Sequence, residues 1–243
     1  MALRVFPGLI YGANNAYGSP FTGSGTAASV QKITRGDLVK FHQVWFQPDN
    51  ATLVVVGDTT LAEITPKLEK VFGGWKSGEA PRKDVVAVKL PAKSVVYILD
   101  KPNAEQSVVI AANITVPPNT PDELAIQAMN DVLGGTFSSR LNMNLREDKH
   151  WTYGANSFVL GARFQRPFLA FAPVQTDKTK ESLVEMNKEL RAILGDRPVT
   201  AEELARTQAN ETLSLPGSRE TLDAVSYTHL DVYKRQSPIF SST

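Results

Sequence analysis

The order of apolar runs between residues 94 and 214 constrains this chain more than any other feature. Two strand-like runs, 94–100 and 106–115, are separated by the turn Lys101-Pro102-Asn103. Helical stretches follow, then strand-like runs at 153–162 and 167–174, then helical stretches again. Strands joined by short turns pair antiparallel, and helices that arrive in blocks segregate to one face of the sheet. The pattern predicts an α+β fold of antiparallel sheets flanked by helices on one face.

The helix boundaries are written in local chemistry. Thr120-Pro121-Asp122-Glu123 joins a cap residue, a proline at the first helical position and an acid three residues after the cap. That helix should run to about Leu133 and end at Gly134-Gly135. A second should begin near Ser138, with Ser138 as its cap, and turn Leu141 and Leu145 inward. A later helix near 177–194 has Leu183, Met186, Leu190, Ile193 and Leu194 as its apolar face, and its charged residues read as a solvated side. The last one opens at Thr200 with Glu203 completing a capping box.

Ahead of these elements, residues 1–32 read as an irregular opening with Tyr11-Gly12 and Tyr17-Gly18-Ser19-Pro20 as turns. Thr34 and Asp37 start a helix carrying Leu38, Phe41 and Trp45, and Gln47-Pro48-Asp49-Asn50 stops it. Thr52-Leu53-Val54-Val55-Val56 suits a buried strand turned by Gly57-Asp58. Thr60 and Glu63 cap a helix with Leu61, Ile64, Leu68 and Val71 on its apolar face. From Gly73 to Pro91 the composition shifts to Gly, Lys, Pro and Ala, as in a linker.

Composition removes whole classes of chemistry. There is no cysteine, so thiol catalysis, disulfides and thiolate metal sites are excluded. Twenty-six basic and twenty-five acidic residues leave a net charge of +1 without long runs of either sign, which argues against nucleic acid as a partner. No apolar run reaches membrane-spanning length, and the start lacks a signal-peptide pattern, so the chain reads as soluble, with no membrane partner.

The segment densest in ligand-holding groups is Gly134-Gly135-Thr136-Phe137-Ser138-Ser139-Arg140-Leu141, continuing through Leu145-Arg146-Glu147-Asp148-Lys149 to Trp151-Thr152-Tyr153-Gly154. Arg146 offers five donors in a planar fork and Tyr153 a phenolic donor, a set suited to carbonyl and carboxylate oxygens. Arg140 reads as structural, pinning the glycine turn or a helix end. Ser138 has no histidine partner that would make it a nucleophile. Gly134-Gly135 follow a helix and lack the Gly-Lys-Ser/Thr signature of a phosphate loop. His42 reads as a packing or surface residue.

These motifs, with Asp37-Leu38 through Phe41-His42 and Pro48-Asp49-Asn50-Ala51-Thr52-Leu53-Val54-Val55-Val56-Gly57-Asp58, resemble the pitrilysin/insulinase zinc metallopeptidases, specifically the zinc-less half. The likeness covers roughly residues 1–224. It implies two successive units: 1–79 as the C-terminal part of a truncated first unit, a linker at 80–92, and 93–224 as the second unit. The family's zinc site, an inverted His-x-x-Glu-His helix, is absent; the histidines are His42, His150 and His229. The resemblance therefore implies no catalytic residue and no metal site in this chain, which should be inactive alone. Zinc is expected in a partner half, fused or separate, with an unfolded peptide as substrate.

In that family the facing half supplies an arginine and a tyrosine seven positions apart that hydrogen-bond substrate near the scissile carbonyl. Arg146 and Tyr153 stand at that spacing and are assigned substrate binding. Extended peptide is bound by adding a strand to a sheet edge. His150 replaces the family's usual glycine, a position that favours positive φ. Tyr17 and Pro20 resemble a chamber-lining loop, with simple turn formation as the alternative. Exported bacterial relatives imply a periplasmic or secreted location. The alternative function is a non-catalytic scaffold of the same family. Finally, 225–243 resembles a translated sequencing-library adapter, so that tail, His229 included, is set aside as non-native.

Overall fold

In a computed structural model that describes residues 2–82, 84–221 and 224–226, β3 (Arg166–Gln175) is the central strand of a three-stranded antiparallel sheet. On one side it pairs along its whole length with β1 (Gln106–Thr115), Gln106 opposite Gln175 and Thr115 opposite Arg166. On the other it pairs with the short β2 (Asn156–Val159). Register places Val109 opposite Ala172 and Ala111 opposite Ala170, so these residues share one face with Val174. That face meets Val132, Leu133, Leu141, Leu145, Met186 and Ile193 from the helical segments in one core. The expected α+β arrangement is present.

The helical layer departs from regular α-geometry at two places. α5 (Glu123–Asn130) passes into a wider, π-type turn at Asp131–Gly135. The short α6 (Arg140–Asn142) likewise passes into a π-type turn at Met143–Asp148, where the Lys149 N–H reaches back to the Asn144 carbonyl at 3.0 Å. Leu141 and Leu145 are fully buried, as their spacing predicted. The caps differ from expectation. Asp122, not Thr120, precedes α5, and Ser139, not Ser138, stands before α6, because Ser138 is used in the turn closed by Ser139 N–H to Thr136 O (3.1 Å).

α7 (Thr179–Ala192) buries Met186, while Leu183 and Leu194, assigned to its apolar face, are exposed. α8 (Ala201–Ser214) starts from the expected capping box, with Glu203 N–H to Thr200 Oγ1 at 3.2 Å and Thr200 N–H to Glu203 Oε2 at 2.9 Å.

By internal contacts the chain divides into Met1–Ser24 with Val85–Glu211, and Gly25–Asp84 with Thr212–Thr243. The first 24 residues thus group with the unit that contains the sheet. The reason is chemical. The opening is not irregular: Ala2–Tyr11 forms α1 despite Pro7, burying Phe6, Pro7 and Tyr11. The Tyr11 hydroxyl donates to the Gln165 carbonyl (3.0 Å), and the Tyr17 hydroxyl accepts from the Arg163 and Phe164 N–H groups at 3.2 and 3.4 Å. Burial, then the neighbouring Tyr17, pushes the Tyr11 phenol up to about 12.

In the other unit, α2 (Ala27–Val30), α3 (Arg35–Trp45) and α4 (Leu61–Phe72) all carry reciprocal capping boxes, those of Thr34/Asp37 and Thr60/Glu63 among them. Two expected strands, 52–56 and 94–100, are not formed, and 153–162 contracts to Asn156–Val159. A strand exists only where a second backbone completes its ladder, and no ladder to 52–56 or 94–100 is present among the described residues. No helix among the described residues is long and apolar enough to cross a membrane. The suspect tail from Tyr227 onward, with His229, lies outside the described residues.

Candidate functional site

The π-type turn that ends at Asp148 presents Arg146, and its closure presents Tyr153. The His150 N–H donates to Arg146 O (3.1 Å) and the Trp151 N–H to Leu145 O (3.0 Å), nested bonds that reverse the chain as a Schellman motif does. Such a reversal needs a left-handed residue, and His150 takes it with φ of 58°. The histidine thus does the work expected of glycine there. Thr152 bridges to Val174 ahead of the start of β2. Its hydroxyl accepts from the Gly154 N–H (3.1 Å) and lies 2.5 Å from the Pro173 carbonyl, so the backbone around Tyr153 is held from both sides.

Arg146 and Tyr153 line one open cleft of about 310 Å3 with Gln106, Glu147, His150, Trp151, Thr152 and Gln175. Tyr153 is 88% exposed, and its hydroxyl has no partner among the described residues. The Arg146 side chain is 38% exposed; its Nε lies 3.4 Å from Glu147 Oε1, and its guanidinium carbon sits 4.7 Å over the Phe137 ring centre. No partner among the described residues engages its two terminal nitrogens. The cleft therefore presents an arginine fork and a phenol with donors to spare.

Arg140, six positions before Arg146, has the opposite fate. It is buried, and Nε and Nη2 bond the two Glu203 carboxylate oxygens at 2.8 and 2.6 Å. Its other donors reach the carbonyls of Arg197 and Pro198. Of the two structural roles expected for it, fastening a helix end is the one present: it anchors the start of α8. The Arg140 guanidinium, followed by the Thr200 N–H, brings the Glu203 carboxyl down to about 2.

Asn142 was missed in the sequence. It is buried, its amide donates to the Phe137 carbonyl (2.7 Å), and its oxygen accepts from the Ala155 N–H (3.2 Å). One side chain thereby ties the turn before α6 to the strand entry after Tyr153. Its position within Arg140-Leu141-Asn142, immediately after an inward-facing leucine, was the available signal.

The remaining candidates are accounted for locally. The His42 ring stacks on Phe46 with centres 4.8 Å apart. A second cleft gathers Gln127, Asn130, Asp131, Val159 and Glu211, where burial and then the Glu211 charge raise the Asp131 carboxyl. Among the described residues no group of three or more His, Cys, Asp or Glu side chains is placed to hold a metal ion.

Residues 32–211 match the family described as the peptidase M16 inactive domain. Among curated proteins, zinc protease PqqE of Helicobacter pylori is 25% identical over 211 residues, which is 85% of this chain and 47% of that protein. A second zinc protease, ML0855 of Mycobacterium leprae, is 27% identical over 137 residues, 55% of this chain and 30% of that one. The chain thus spans less than half the length of these relatives. The crystal structure of a peptidase M16 inactive domain from Pseudomonas fluorescens shares the fold, with a TM-score of 0.75 and 22% identity, covering 96% of this chain and 57% of that one.

Proposed function

Because this chain belongs to the peptidase M16 inactive domain family, we propose that it is the substrate-binding half of a zinc-dependent metalloendopeptidase that cleaves unfolded peptides. The observation that carries this reading is the shared cleft: Arg146 and Tyr153 face one open space, each with unused donors. Zinc is held by histidine, carboxylate and thiolate side chains, and the described residues do not cluster in such a set. The metal belongs to a partner half, and no step at a metal is assigned to this chain.

What these residues do is grip and polarise. The planar Arg146 fork donates to two peptide oxygens at once, and the Tyr153 phenol donates a third hydrogen bond. A donor held where negative charge develops on a tetrahedral intermediate lowers the barrier by about 3 kcal/mol. β1 is an outer strand of the sheet, and its first residue, Gln106, lines the same cleft, so an extended peptide has unpaired main-chain groups beside the donors. Main-chain recognition of this kind tolerates many side-chain sequences.

Complementation tests the reading. The chain is mixed with a zinc-bearing half, and cleavage of an unfolded peptide is measured for the native sequence, Arg146→Ala and Tyr153→Phe. Activity should appear only in the mixture, and either substitution should lower kcat about 100- to 1000-fold. Activity that neither substitution reduces overturns the assignment of the pair.

A further inference from the structure

Phe137 is a large aromatic side chain that no core requirement explains. It is 63% exposed and lies outside the buried cluster formed by Leu133, Leu141 and Leu145. An exposed phenylalanine in a turn between two helical segments gains little from desolvation. Among the described residues its ring contact is with Arg146, whose guanidinium carbon lies 4.7 Å over the ring centre. The backbone beneath the ring is fixed with care: the Phe137 carbonyl accepts from the buried Asn142 amide at 2.7 Å, and the turn is closed by Ser139 N–H to Thr136 O at 3.1 Å.

We propose that Phe137 is a positioning residue for substrate: its ring is the platform that holds the Arg146 guanidinium flat and aims its terminal nitrogens into the cleft. This rests on the reading of Arg146 as a substrate donor and deepens it. A free arginine side chain loses rotamer entropy when it binds, and one already stacked on a ring has lost part of it beforehand. Stacking leaves the edge of the guanidinium plane, where all five donors lie, available to a peptide oxygen. Glu147, 3.4 Å from Nε, steadies the near edge and leaves the far edge open. The same Asn142 that fixes the Phe137 carbonyl also holds the Ala155 N–H, two residues beyond Tyr153, so platform and phenol share one brace.

Two measurements on the full chain test this. In NMR spectra the Arg146 side-chain protons should be shifted upfield by the ring, a shift lost in Phe137→Leu and retained in Phe137→Tyr. Binding of fluorescein-labelled, unfolded β-casein, measured beside a zinc-bearing half, should weaken about three- to fivefold in Phe137→Leu and recover in Phe137→Tyr. In the Arg146→Ala background Phe137→Leu should have no further effect, because the ring acts through the arginine. An unshifted Arg146, or a Phe137→Leu loss of equal size with and without the arginine, overturns the proposal. If the native chain fails to bind casein at all, the peptidase reading fails, and the ring shift still decides whether Phe137 positions Arg146.

Discussion

Two arginines six residues apart meet carboxylates of different burial, and that difference sets what each contact is worth. Arg146 lies against an exposed Glu147 at 3.4 Å, a contact worth a few tenths of a kcal/mol in water. Arg140 grips both oxygens of Glu203, whose side chain is only 17% exposed, and this bidentate bond holds the Glu203 carboxyl at about 2, below its ordinary 4.5. A carboxyl depressed on folding stabilises the fold above its unfolded pKa, and that stability is lost as pH falls through the folded value. Glu203 should therefore contribute about 3 kcal/mol at neutral pH, declining from roughly pH 5 towards pH 2. Glutamine keeps the capping geometry but not the charge. Urea titrations of the native chain and Glu203→Gln should diverge most at pH 7 and converge near pH 2; parallel curves across that range would remove Glu203 from the account.

Elements whose signals are local were legible, and those that depend on distant partners were not. The capping boxes at Thr34, Thr60 and Thr200 formed as read, because each needs only residues three apart. The strands expected at 52–56 and 94–100 have the right residues but no ladder, and a ladder partner is not written in the strand itself. α1 was hidden for the opposite reason: Pro7 and Gly8 signal a break, and burial of Phe6 and Tyr11 overrides it. At the site, the motif and its family resemblance made Arg146 and Tyr153 candidates and marked the unusual His150, whereas the Phe137 and Asn142 contacts arise from tertiary placement. The glycine pair separates these two kinds of information. A Cβ at Gly134 would lie 2.3 Å from the backbone nitrogen of Ser157 in β2, while one at Gly135 would chiefly meet the ends of the Asp131 and Asn130 side chains. Gly134→Ala should cost about 3 kcal/mol and Gly135→Ala about 1 kcal/mol, compared by thermal denaturation. Equal losses would mean that the helix-to-strand approach at Gly134 has room for a methyl group.

At the scale of the whole molecule, the two units differ in what can hold them folded. The unit containing the sheet buries Leu141, Leu145, Ala170, Ala172, Val174 and Met186 completely. Across the described residues of 25–84 no residue is buried, and Leu38, Phe41, Leu61 and Val71 stand exposed on α3 and α4. Helices of 11 and 12 residues are marginal in water when no apolar face is covered, and a capping box adds only about 1 kcal/mol. The spacing of Leu61, Ile64, Leu68 and Val71 places them on one apolar face of α4, but spacing cannot say whether a surface exists to receive that face, and Leu61 and Val71 are exposed. Amide hydrogen exchange of the isolated chain should therefore separate the units, with opening free energies in α3 and α4 roughly 3 kcal/mol or more below those in β1, β3 and the turn at Met143–Asp148. Protection in α3 and α4 equal to that of β3 would show that the isolated chain opens as one cooperative body. The cleft would then share its stability with the capped helices rather than drawing it from the sheet's own core.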